Sequence, residues 1–201
     1  MKKVFVVLLF VFTFAAVIFT VEIGKDIHKN ALSPKMKFYS NGDGTCCFAG
    51  VINPKEGTHL VIPETSPEGE TVVAIGSKSG CFGIEGIKSV IIPDTVKVIE
   101  RSAFAYCKNL TSVIIPNSVE WIYYGAFKGC DKLELVTIGR NVEYIGEMVF
   151  YGSNSLSNVT FVNPDGWRTR GSDLAAEELL DSEIAAKYLK DTYKHSYWVR
   201  E

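Results

Sequence analysis

Apolar positions return at a fixed spacing through the middle of the chain. Residues 89–111, 112–134 and 135–157 align without gaps at a period of 23. Val96, Val119 and Val142 form one column, Ile99, Ile122 and Ile145 a second, and Phe104, Phe127 and Phe150 a third. Leu110, Leu133 and Leu156 form a fourth, and Cys107 and Cys130 are matched by Ser153. Val90, Val113, Val136 and Val159 open successive segments, with Ile92, Ile115, Ile138 and Phe161 two residues later. Pro93 and Pro116 close the first two runs, and Gly139 stands at the next step. An irregular copy precedes them: residues 60–63 match 90–93 at a spacing of 30, the excess falling in a Pro-, Gly- and Glu-rich stretch, 64–71, that reads as an exposed loop. Ile75, Phe82 and Ile87 approximately resume the columns.

Repetition at this period predicts a solenoid. Residues 90–92 read as a short strand, stopped by a proline that has no N–H for a ladder. One such unit cannot bury its own apolar face; stacked copies can, each strand pairing in parallel with its equivalent about 4.8 Å away. The expected fold is mainly β, a parallel-strand solenoid sealed at both ends. Asn41-Gly42-Asp43-Gly44 between apolar stretches predicts a hairpin turn in the N-terminal cap. It lacks the ligand spacing and distal Glu of a calcium loop. After Trp167 the repeat ends. Ser172 or Asp173 can cap one or two short helices within 173–190, with Leu174, Leu179, Leu180, Ile184, Tyr188 and Leu189 as candidate buried positions. An extended piece is expected at 197–199. This small mixed cap would cover the last turn.

At the other end, Lys2 and Lys3 precede an apolar run, 4–21, whose only polar members are Thr13 and Thr20. That is the pattern of export. The run suits either a cleaved signal or a retained membrane anchor. The expected organisation is a signal or anchor at 1–22, a linker and hairpin cap at 23–59, repeats at 60–162 and a C-terminal cap at 163–201.

The run Ser-Val-Ile-Ile-Pro-Asn-Ser-Val-x-x-Ile…Ala-Phe-x-Gly-Cys-x-x-Leu at 112–133 resembles the BspA-like, or Treponema pallidum-type, leucine-rich repeat. The likeness covers 60–161. Phe38-Tyr39 with Gly42 to Thr45 resembles the family's opening hairpin, and the exit from Phe161 to Trp167 its closing segment. Ala185-Ala186-Lys187-Tyr188-Leu189, Thr192-Tyr193 and Tyr197-Trp198 are similar to a tail of spirochete members. The resemblance implies secreted or cell-surface proteins of binding and adhesion, with no shared catalytic residue to carry over.

Composition narrows the classes. The formal net charge is −2, and no Lys/Arg run follows Lys2-Lys3, which argues against nucleic acid and against polybasic attachment to lipid. Membrane contact is expected only through 1–22. His28, His59 and His195 lie outside the regular repeats, no nucleophile, phosphate-loop or zinc-protease motif occurs, and no cofactor or metal is implied. An enzyme would need a pocket gathering His59, Asp43 and Cys46 or Cys47. The chain has five cysteines, at spacings unlike those of zinc sites. Cys107 and Cys130 suit either stacked free thiols or a bridge between adjacent turns.

Trp121 and Tyr144 share a column with Val98, and Tyr123 and Tyr124 lie alongside. Each flanks a buried Val or Ile, so all four are expected to point outward, as a contact patch or as packing against neighbouring turns or a cap. Ile91, Ile114, Thr137 and Thr160 are expected on the outside of the other strands. The expected function is an exported or cell-surface repeat protein binding a protein or glycoprotein without catalysis. The second class is a structural envelope component tethered by the N-terminal segment.

Overall fold

A computed structural model describes residues 35–52, 55–76 and 84–200. The N-terminal run at 1–22, the linker up to Pro34, His28, Cys81 and Phe82 lie outside the described residues. Among the described residues, no helix is long and apolar enough to cross a membrane.

The chain opens with an antiparallel hairpin of β1 (Lys35–Ser40) and β2 (Thr45–Ile52). At its turn, the Asp43 carboxylate accepts bonds from the Thr45 N–H and hydroxyl, which holds that carboxyl below its usual range. Gly42 and Gly44 take the left-handed backbone the turn requires, with φ of 82° and 85°.

The coil then alternates between two parallel sheets. One holds β3 (Thr58–Val61), β5 (Ile87–Ile91), β7 (Ser112–Ile114), β9 (Leu135–Ile138) and β11 (Asn158–Phe161). The other holds β2, β4 (Thr71–Ile75), β6 (Val98–Ile99), β8 (Trp121–Ile122) and β10 (Tyr144–Ile145). The proline-terminated runs lie in the first sheet, as the pattern predicts. The second sheet was not anticipated, because a two-residue strand leaves no alternation to detect. Successive turns match in register: Val113 faces Val136, which faces Val159, and Ile99 faces Ile122, which faces Ile145.

The predicted Val, Ile, Phe, Leu and Cys columns within the described residues point inward and every member is buried, including Phe161 and Ser153, whereas Pro116 of the proline column is only half-buried. The phenylalanines stack nearly parallel, with centroids 5.1 Å apart for Phe104–Phe127 and 5.5 Å for Phe127–Phe150. Cys107 and Cys130 are buried and form no bridge between the turns. Cys107 donates to the Ile84 carbonyl at 3.3 Å and Cys130 to the Phe104 carbonyl at 3.1 Å. Ser153 repeats the bond to Phe127 at 2.9 Å, so the loss of sulfur leaves this link between turns in place.

A third ladder runs along the corner after each short strand. The amides of Ser102, Phe104 and Tyr106 donate to the carbonyls of Tyr124, Ala126 and Lys128, and those of Gly125, Phe127 and Gly129 donate to Glu147, Val149 and Tyr151. The corner needs left-handed backbone at two equivalent positions, filled by Ser102, Gly125 and Met148 and by Tyr106, Gly129 and Gly152.

Gly139 shows why the proline column breaks. A Cβ there would sit 2.4 Å from the Pro116 carbonyl oxygen and 2.8 Å from that of Ile115, both fixed backbone. Gly139→Ala is therefore expected to destabilise by about 1–3 kcal/mol, and Gly139→Pro, which restores the repeat, by at least as much. A denaturant melt in which Gly139→Pro gains stability would contradict this crowding.

The irregular loop is more ordered than its composition predicts. Thr71 begins β4, Thr65 bridges to Thr71, and Ser66 is buried, its hydroxyl accepting from the amides of Glu68 and Glu70. The C-terminal cap also departs from expectation. β12 (Trp167–Thr169), β13 (Ser172–Asp173) and β14 (Trp198–Arg200) join the second sheet, so neither Ser172 nor Asp173 caps a helix. The helices are α1 (Ala176–Leu180) and α2 (Ser182–Lys187), followed by a π-helical turn, Tyr188–Thr192; Asp181 caps α2 by accepting from Glu183 and Ile184. Leu174, Leu179 and Leu189 are buried and Tyr188 half-buried, but Leu180 is 70 % exposed and Ile184 36 %. Two short helices are within the expectation, but the break between α1 and α2 rotates their faces and takes Leu180 and Ile184 off the buried side. Lys190 reaches back to the Leu156 carbonyl at 2.6 Å, and Ser182 bonds Asn158 on β11 at 3.0 Å, fastening the cap over the last turn.

Candidate interaction surface

The second sheet carries the aromatic residues singled out from the sequence. Because side chains alternate along a strand, inward Ile122 and Ile145 turn Trp121 and Tyr144 outward. Val98, Trp121 and Tyr144 lie in one register row, continued by Val199 of β14. The Trp121 residue is 37 % exposed. Tyr144 is half-buried between two other rings, Tyr123 at 5.8 Å and Tyr197 at 6.1 Å. Burial, and next the Glu147 carboxylate, push its phenol up from the ordinary range.

Three of the four expected residues therefore gather around one spot. Tyr124 does not join them: its hydroxyl donates to the Met148 sulfur at 3.1 Å, and the Arg101 guanidinium lies 6.0 Å from its ring. Tyr197 is the member that sequence reasoning missed. It belongs to the tail, and nothing in the repeat places β14 beside β10. The available signal was the aromatic spacing of Tyr193, Tyr197 and Trp198, which suits a segment lying across a hydrophobic surface.

The platform is rigid. Strands β8 and β10 have bonded neighbours on both sides, so their backbone groups are spent and the rings are held from beneath. The Lys97–Glu120 ion pair, at 3.1 Å, joins the residues just before β6 and β8.

The first sheet offers a plainer outer face. Val61 and Ile91 are in register and 53 % and 55 % exposed, with Ile114 exposed on the next strand. Thr160 is exposed and Thr137 half-buried. Branched residues are also what solvent-facing strands favour for their own sake.

The residues that an enzyme would have had to gather are kept apart in bonding. Asp43 is engaged by Thr45, the Cys47 thiol faces the Asn41 amide oxygen at 3.6 Å, and His59 bonds Ser89 at 2.7 Å. Burial pushes both the Cys46 and Cys47 thiols upward, away from the thiolate form a nucleophile requires. Among the described residues, no group of three or more His, Cys, Asp or Glu side chains is placed to hold a metal.

Alternating parallel strands, stacked apolar columns and separate end caps define a leucine-rich-repeat β-solenoid. Residues 75–173 match the family model for the BspA type leucine rich repeat region in six copies. A leucine-rich repeat protein from Bacteroides capillosus is similar in structure, with 32 % sequence identity, a TM-score of 0.55, and coverage of 66 % of this chain and 96 % of that one. The T. pallidum leucine-rich repeat protein shares the fold at 20 % identity and a TM-score of 0.50, covering 66 % of this chain and 70 % of its own. No curated protein matches. The chain belongs to the BspA-type leucine-rich repeat family.

Proposed function

We propose that this protein is an exported, non-catalytic binding module, displayed on the cell surface or released from it, that engages a protein or glycoprotein partner through the outer face of its second sheet. The observation that carries this reading is the exposed Trp121 in register with Tyr144, itself flanked by Tyr123 and Tyr197. Trp and Tyr are the residues most enriched where binding energy concentrates. Rings already held on a paired sheet lose little freedom on docking, which favours affinity. Export rests on the lysine-led apolar run at 4–21, and the tether alternative rests on the same run remaining uncleaved.

Joint replacement Trp121→Ala and Tyr144→Ala tests the surface. Quantitative pull-down from host and envelope extracts is expected to fall at least about tenfold, while the melting temperature moves only a few degrees. A large loss of stability with unchanged capture would assign these rings to packing instead.

A further inference from the structure

The segment carrying Tyr197 also carries Lys194 and His195, and these reach a second cluster at the corner of the coil. The ammonium groups of Lys128 and Lys194 each lie 5.6 Å from the centre of the Tyr151 ring. The His195 ring is 6.1 Å from the same centre. Lys128 and Tyr151 sit on the corner ladder, and Lys194 is pinned to it by the Met148 amide, which donates to the Lys194 carbonyl at 2.7 Å. Neither lysine takes part in an ion pair among the described residues, whereas Lys97 on the aromatic face is neutralised by Glu120. A phenol face offsets only part of an ammonium charge. Two unneutralised cations therefore converge on an exposed ring, joined to the aromatic platform through residues 194–197.

We propose that this cluster is the anion subsite for the acidic glycan of a glycoprotein partner, a sulfated or uronate-bearing chain whose sugar faces lie on Trp121 and Tyr144 while its acid groups meet Lys128 and Lys194. The inference rests on the reading of the same face as the binding surface. Charge complementarity requires an anionic ligand at the corner. The interior strands of the face, β8 and β10, are paired on both sides and have no free edge for a peptide strand to join. What they present is ring faces beside point charges. Sugar rings have apolar C–H faces and their acid groups project from the rim, which fits that arrangement. The formal net charge of −2 gives no general attraction for polyanions, so any such binding must be local.

The test is binding of purified full-length protein to heparin fragments, with neutral dextran and poly-glutamate as comparators, at low and high salt. Wild-type protein is expected to bind heparin, more tightly than poly-glutamate, and to ignore dextran. Lys128→Gln with Lys194→Gln is expected to weaken heparin binding about tenfold and flatten its salt dependence at unchanged melting temperature, while Lys88→Gln, at an exposed position of β5 on the first sheet, has no effect. Absent heparin binding in wild-type protein, equal or tighter binding of poly-glutamate, or an equal loss in Lys88→Gln would each overturn the proposal. If heparin binding is absent but Trp121→Ala with Tyr144→Ala still abolishes partner capture, this inference fails and the reading of the face survives. If neither double replacement changes any binding, the face itself is misassigned.

Discussion

Trp198→Ala is expected to lower the unfolding free energy by about 3–5 kcal/mol, the range for removing a fully buried large ring. Trp198 is 1 % exposed. It pairs with Ile145 on one side and Thr169 on the other, making it the hinge between the last repeat and the cap. Its indole lies parallel to Phe161 with centroids 6.0 Å apart, and edge-on to Trp167 at 6.2 Å and Tyr193 at 6.0 Å. Loss of the indole empties a site shared by three rings from different segments, so collapse around the gap is difficult. A domain with about 5–15 kcal/mol in total would be left marginal. Trp198→Phe should recover much of the loss. Deletion of residues 167–201 goes further, exposing Phe161, Val159 and Leu156, and is expected to give aggregated protein. Urea melts and sedimentation check both; a soluble truncation with unchanged melting would mean the cap is dispensable.

The second large effect is expected inside the coil. Phe127 is fully buried and is the phenylalanine with a stacked partner on each side, at 5.1 Å and 5.5 Å. Phe127→Ala should cost about 3–5 kcal/mol, and more than Phe150→Ala, because the cavity opens between two turns and unseats both neighbours. Phe104→Ala and Phe127→Ala should combine non-additively, since they share one contact. Equal costs at 127 and 150 would mean the rings fill independent holes rather than a common row.

The interior was legible in the sequence because stacking converts a period into contacts. A position that points inward in one turn points inward in all, so Val96, Ile99, Phe104 and Leu110 could each be checked against their copies. The hairpin was legible from its local turn chemistry. What lay beyond reach was geometry with no counterpart in the repeat. Residues 98–99 form a strand only because neighbouring turns supply partners, and β14 reaches its place by returning across the end of the coil. Leu180 and Ile184 were misplaced because a helix break at Asp181 resets the phase of the apolar face. Within the candidate surface, Trp121, Tyr123 and Tyr144 followed from alternation around buried isoleucines. Tyr124, one residue further, falls on the corner, where alternation no longer holds.

The reversal of β14 beside β10 has a consequence for assembly. A stack of parallel strands ends in a surface that would accept another identical strand, and so invites head-to-tail growth of one molecule on the next. With a reversed strand fixed there, and two more strands, β12 and β13, beyond it, an incoming copy meets the wrong polarity. On the first sheet, α2 packs against β11 and Ser182 occupies Asn158. The tail thus acts as a terminator against fibre formation at this end of the coil, as the reversed edge strand β1 does at the opposite edge of the second sheet.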